Sequence, residues 1–242
     1  MRQSLTQLFL GQRAWYDRTI GSLSTDGRHV YAVDWVGVLG LQVFMPGGFG
    51  RGADSAAPWV PREHNRLLAF DLASEGMLQW ELGGSRGDRE DELDGTFFLG
   101  PPLPLGGRLY CLGERDGEIR LLAIHPDGPH RVDGGDEAGV EWSQGIAQPE
   151  YNILTHPGRR LAGLSPSYSD GVLVCPTEAG LVVGIDVARR QLLWSYSYPP
   201  THRQLSYSRQ QAMRRVLMPN RVAELSRNDG WFDSVAMLSE GT

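Results

Sequence analysis

A long-period repeat constrains this chain more than any single residue does. Four segments run into a turn glycine: Ser22-Leu-Ser-Thr-Asp-Gly27, Pro102-Leu-Pro-Leu-Gly-Gly107, Pro166-Ser-Tyr-Ser-Asp-Gly171 and Ala236-Met-Leu-Ser-Glu-Gly241. A β-rich stretch follows each of the first three. Further along, Leu68-Ala-Phe-Asp71 leads through Gly76 to Trp80, and Val183-Gly-Ile-Asp186 leads to Trp194. Trp142 holds the matching place between them. Self-similarity of this kind marks stacked supersecondary units, each too small to bury its own apolar face.

The second and third units read as strands in the same order. Phe97 to Leu105 and Arg108 to Leu112 are followed by the hairpin signal Asp116-Gly117, then by Glu118 to Ile124 and Val140 to Ile146. Leu161 to Tyr168, Val172 to Pro176, Leu181 to Asp186 and Gln191 to Tyr198 repeat that order. In the first unit, Ser22 to Val33 supplies two strands, and Asn65 to Asp71 and Met77 to Leu82 supply the other two. Four antiparallel strands in about 40 to 50 residues is the size of a β-propeller blade. The 31 Gly and 15 Pro suit many short strands joined by tight turns.

The expected architecture is therefore all-β. It is one partial propeller domain over 1–242, with blade units at about 19–82, 96–146, 160–198 and 230–242. Insertions are expected at 44–61, 83–95, 126–139 and 199–229, where loops carry specificity. Three blades and the opening of a fourth do not close a ring. The chain thus reads as part of a longer propeller, or as one that assembles with another chain.

The motif stretches resemble the repeats of quinoprotein-like propellers, often called PQQ (pyrroloquinoline quinone) repeats. Those repeats read roughly aliphatic-x-Ala-x-Asp-x-x-Thr-Gly-x-x-x-Trp. The resemblance runs over about residues 20 to 198 and the start of a further blade. It implies that Asp71 and Gly76 shape the turn between third and fourth strands and that Trp80 packs between blades. Asp186 and Trp194 match in the third unit, with Arg190 where Gly is usual, and His125 and Trp142 hold the places in the second. Gly27, Gly107, Gly171 and Gly241 are the repeat-opening positions. The opening segments also resemble a bacterial group of large repeat proteins with no assigned chemistry.

A quinoprotein enzyme of that family needs a divalent cation held by Glu, Asn and Asp, an Asp base, and usually a vicinal cysteine pair. Cys111 and Cys175 are the only cysteines, and they are far apart in sequence. Each lies four residues beyond a repeat glycine, so they are expected as two small buried hydrophobes in neighbouring blades, without a disulfide. PQQ with calcium is expected only in a complete propeller.

Other constellations read as structural. The acidic run Asp88-Arg-Glu-Asp-Glu-Leu-Asp-Gly95 lacks EF-hand spacing and reads as a solvated inter-blade loop. Gly47-Gly-Phe-Gly-Arg-Gly52 has no Lys-Ser/Thr end to cradle phosphate. The six histidines show no paired metal-ligand spacing, and no Gly-x-Ser-x-Gly elbow occurs. All 23 basic residues are Arg, which excludes Lys-based chemistry. The net charge of −6 argues against a nucleic-acid surface, although five arginines between 203 and 221 form a local basic patch. No apolar run reaches the roughly 20 residues of a membrane-spanning helix, and the N-terminus is a poor signal peptide. The family resemblance permits a periplasmic setting.

The expectation is a non-catalytic interaction or ligand-binding scaffold with no catalytic or metal residues. Its partner is another protein or further blades of the same propeller. The alternative is a fragment of a quinoprotein-type oxidoreductase whose cofactor site lies in missing blades.

Overall fold

The computed structural model describes residues 22–34, 64–85, 93–128, 130–131, 137–150, 152–153, 157–160 and 162–198. The expected unit at 230–242 with Gly241, the insertion at 44–61, the segment 199–229 and most of the acidic run lie outside them.

The described chain is all-β, with three antiparallel sheets that resemble propeller blades, two of four strands and one whose first strand is split in two. The first holds β1 (Leu23–Thr25), β2 (His29–Asp34), β3 (Arg66–Asp71) and β4 (Met77–Gly83), hydrogen-bonded in sequence order. The second runs from β5 (Phe97–Phe98) and β6 (Leu103–Leu105), both paired to β7 (Arg108–Arg115), through β8 (Glu118–Ile124) to β11 (Val140–Ala147). A two-stranded ribbon of β9 (His130–Arg131) and β10 (Glu137–Ala138) fills the connection before β11. The third contains β12 (Ser167–Ser169), β13 (Val172–Pro176), β14 (Leu181–Asp186) and β15 (Gln191–Ser197). No closed ring forms among the described residues.

Turn chemistry sets the registers. Arg115 pairs with Glu118 across Asp116 and Gly117, whose φ angles are 54° and 75°. Two consecutive left-handed residues make the turn that matches strand twist, and Asp-Gly is suited to it. Gly106-Gly107 and Asp170-Gly171 do the same between the first two strands of the second and third sheets. The first sheet differs. Thr25 pairs with Val30 across a four-residue loop, so the strand register slips by one residue relative to Gly27. Tyr31 therefore stands opposite Ala69, as Tyr110 stands opposite Ala123 and Val174 opposite Gly184.

Two first-strand expectations need correction. Phe97 to Leu105 is not one strand: Pro101 and Pro102 cannot donate to the ladder, and the strand breaks into β5 and β6 around them. The Leu161 to Tyr168 strand shrinks to Ser167–Ser169, and a short helix α1 (Pro157–Arg160) precedes it. Leu164 instead donates its N–H to the Leu99 carbonyl at 2.8 Å, tying the lead-in of the third sheet to the second.

The sheets stack through two apolar layers. Between the first and second lie Tyr31, Leu67, Trp80, Phe98, Leu109 and Cys111, and between the second and third lie Leu99, Leu112, Leu121, Ala123, Leu173 and Cys175. The second sheet is covered on both faces, which is why β7 and β8 read as almost continuous apolar runs instead of alternating ones.

Candidate functional site

Each sheet places its repeat tryptophan on the outermost strand, opposite a small residue of the third strand. Trp80 faces Ala69, Trp142 faces Ala123 and Trp194 faces Gly184. A β-bulge adjoins the pair in all three sheets. The small partner leaves room for the indole to lie across the sheet. A Cβ on Gly184 would come within 2.2 Å of the Trp194 ring.

The three indoles are covered to different extents. Trp80 is 8% exposed, and its Nε1–H donates to the Pro126 carbonyl of the second sheet at 2.9 Å. The Tyr31 ring lies 5.9 Å from it. Trp142 is half-buried against the next layer, with Tyr110 at 6.1 Å and the Arg190 guanidinium 5.6 Å above its ring. Trp194 is 42% exposed and Tyr196 66% exposed. The expected burial of Trp194 between blades is not met. It lies on the outermost strand of the third sheet, and every residue of β15 is exposed.

The turns that follow the third strands are built alike. Asp71 accepts the Ser74 N–H at 3.0 Å, and hydrogen bonding from Ser74 holds its carboxyl below the usual carboxylate range. Asp186 accepts the Arg189 N–H at 2.8 Å and is lowered by that bond first. In the second sheet the His125 ring takes this place and accepts from the Asp127 N–H at 3.3 Å. Gly76 has φ 84°, and Arg190, at the turn's end in the third sheet, takes φ 54°. A left-handed Arg is strained, and its seat over Trp142 supplies a cation–π contact of about 0.5–1 kcal/mol.

Ionisable groups cluster in two further places. In the first-sheet loop, Asp26 accepts from the His29 N–H at 2.7 Å, the Arg28 N–H at 2.8 Å and the Tyr31 hydroxyl at 2.8 Å. Burial would raise its pKa, but these bonds together bring it down to about 2. Burial, with Asp26 beside it, pushes the Tyr31 hydroxyl well up. Arg28 reaches Asp127 at 2.7 Å and so joins the first and second sheets at the surface. Near the end of β7, Glu114 is buried in an ion pair with Arg159 of α1, and Arg160 lies 5.1 Å over the Phe97 ring. Sequence reading missed this cluster, since no motif marks two arginines as buried.

Asp26 yields a pH prediction. Its folded-state pKa lies below that of an unperturbed aspartate, so its contribution is complete above about pH 4 and fades as pH falls toward about 2. Asp26→Asn is expected to cost under about 1 kcal/mol at neutral pH, because solvent screens the charge of this largely exposed residue. It should also flatten the acid-side decline of the melting temperature, as thermal melts across that range will show.

A cavity of about 500 Å³ lies beside the β7–β8 turn, lined by Thr96, Arg115, Asp116, Glu118, Arg120 and Ser143. Its charges are internally matched: Arg120 pairs with Glu118 and donates to Ser143 at 3.0 Å, and Arg115 lies 3.6 Å from Asp116. Among the described residues no group of three His, Cys, Asp or Glu is placed to hold a metal. Cys111 and Cys175 sit in different layers, both buried and free. Burial pushes the Cys175 thiol to about 12 and Cys111 higher still. The two cysteines therefore do not form the vicinal pair that the repeat resemblance implies for a quinone site.

No family model matches the chain, and no curated protein matches it in sequence. Solved structures do resemble it. BamB from Moraxella catarrhalis is 15% identical over 55% of this chain and 34% of its own, with a TM-score of 0.36. The quinohemoprotein alcohol dehydrogenase ADHIIG from Pseudomonas putida HK5 is 14% identical over 56% and 24%, at 0.34. A europium-containing methanol dehydrogenase is 11% identical over 74% and 32%, at 0.38. This chain thus covers about a third or less of the length of each.

Proposed function

We propose that this chain is a non-catalytic scaffold of propeller-type blades whose role is to make contacts with another polypeptide. The observation that carries this reading is the uncovered Trp194 and Tyr196 face of the third sheet. A large exposed aromatic surface on a sheet otherwise packed like a core marks an interaction site. The engagement of Glu114, Glu118 and Arg120 in internal ion pairs, and the inert cysteines, support a structural role for the polar residues as well.

The test is titration of the chain with pyrroloquinoline quinone and calcium, followed by thermal melting and by reduction of an artificial electron acceptor with alcohols. The expected result is no saturable shift in melting temperature and no turnover. Saturable binding with acceptor reduction would replace the scaffold by a quinoprotein oxidoreductase.

A further inference from the structure

We propose that the Asp170–Gly171 peptide bond is a site of spontaneous backbone modification, where aspartate isomerises to isoaspartate. The bond at the same repeat position in the first sheet, Asp26–Gly27, is protected by the fold.

The chemistry needs no reactant but water. The Gly171 backbone nitrogen attacks Cγ of Asp170, forming an N–Cγ bond and closing a succinimide ring. The amide proton leaves with the carboxyl hydroxyl as one water. Water then adds back at either imide carbonyl. Addition at Cγ breaks the new bond and restores aspartate. Addition at the α-carbonyl breaks the original peptide bond, so the chain now runs through Cβ and Cγ. Nothing is oxidised or reduced, and the final mass is unchanged. Glycine favours the attack because it has no Cβ to keep other groups from its backbone. A closed turn fixes the aspartate backbone, so attack waits on local opening of the hairpin.

Five Asp–Gly bonds lie among the described residues. In three of them the attacking nitrogen is engaged. The Gly27 N–H donates to Thr25 Oγ1 at 3.0 Å, the Gly95 N–H to the Gly84 carbonyl at 2.9 Å, and the Gly128 N–H to the His125 carbonyl at 3.0 Å. Their carboxyl groups are held as well. Asp26 accepts from two backbone N–H groups and the Tyr31 hydroxyl, Asp94 is buried, and Asp127 accepts from Arg28. Among the described residues no such bond holds the Gly117 or Gly171 N–H.

Asp116–Gly117 and Asp170–Gly171 differ in what must part before the turn opens. The first closes the β7–β8 ladder, which runs from Leu109–Ile124 to Arg115–Glu118 in a sheet covered on both faces. The second closes β12 onto β13, and β12 is a three-residue strand at the end of its sheet. Asp170 is exposed there and Tyr168 is 42% exposed. β12 can part from β13 while β13, β14 and β15 stay paired.

The first sheet shows what the third lacks. β1 is also three residues long, but its four-residue loop brings the hydroxyl of Thr25 onto the Gly27 N–H. Ser169 stands where Thr25 does, one residue before the aspartate, and its hydroxyl donates to the Asp170 carboxylate at 3.0 Å instead. Isoaspartate at 170 lengthens the backbone of a two-residue turn. It displaces the Ser169–Val172 pair and the Gly171 carbonyl, which accepts the Val187 N–H at 3.0 Å.

Peptide mapping of the full chain, aged at neutral pH below its melting temperature, tests this. Each Asp–Gly peptide is followed by mass spectrometry for a species of equal mass and altered retention, whose fragments place the chain link at Cγ. The expected result is conversion at Asp170 several-fold faster than at Asp26, Asp94, Asp116 or Asp127. In denaturant the five rates are expected to draw together. Absence of conversion at Asp170 in the folded chain overturns the proposal. Conversion at Asp116 or Asp26 that equals it does the same. Selectivity that persists in denaturant also overturns it, because local sequence and not the fold would then set the site.

Discussion

Trp80→Ala is expected to cost about 3–5 kcal/mol, the range for removing a large buried aromatic. Three losses combine. The first is the indole's apolar contact with Tyr31 and the first inter-sheet layer. The second is the hydrogen bond that leaves the Pro126 carbonyl without its donor. The third is a cavity that Ala69 opposite is too small to fill. The same substitution at Trp194, 42% exposed, is expected to cost under about 1 kcal/mol, as for a substitution made away from packed features. Denaturant melts of the two variants give both numbers. Equal costs at the two sites would mean that Trp194 is covered within its own chain.

That contrast shows what the sequence could and could not say. The third-strand motif was legible because its physics is local. A small residue at 69, 123 or 184 must face the tryptophan, and an Asp or His two residues later must close the turn. Asp116-Gly117 and Asp170-Gly171 were legible for the same reason, since left-handed turn residues are read directly. The one-residue slip at Gly27 was not, because it depends on the loop that Asp26 organises through His29, Arg28 and Tyr31. The exposure of Trp194 was illegible too. Its sequence context matches that of Trp80, and only the neighbouring sheet distinguishes them. Buried Arg159 and Arg160 lay furthest from reach, since arginine ordinarily signals solvent.

Breaking the Glu114–Arg159 pair is the second large effect. Both side chains are 3% exposed, and Glu114 also accepts the Ile153 N–H at 3.2 Å. Arg159→Met removes the guanidinium but leaves the carboxylate in the interior with one hydrogen bond, and is expected to cost about 3–5 kcal/mol. Glu114→Gln keeps an acceptor for Ile153 yet leaves Arg159 charged and buried, with a similar cost. Together the two substitutions remove both charges, so the double variant should be no less stable than either single one, a strongly non-additive cycle. The location gives the pair its consequence. It fastens α1 to the end of β7, just ahead of the point where Leu164 bonds to Leu99 and where a Cβ on Gly100 would lie 2.2 Å from the Leu164 carbonyl oxygen. Loosening α1 therefore loosens the seam between the second and third sheets while the first two remain packed. Hydrogen exchange is expected to quicken at Leu164 and along β13 in Arg159→Met before it changes along β2. Additive costs, or exchange that quickens uniformly through all three sheets, would show that the pair is not what holds this seam.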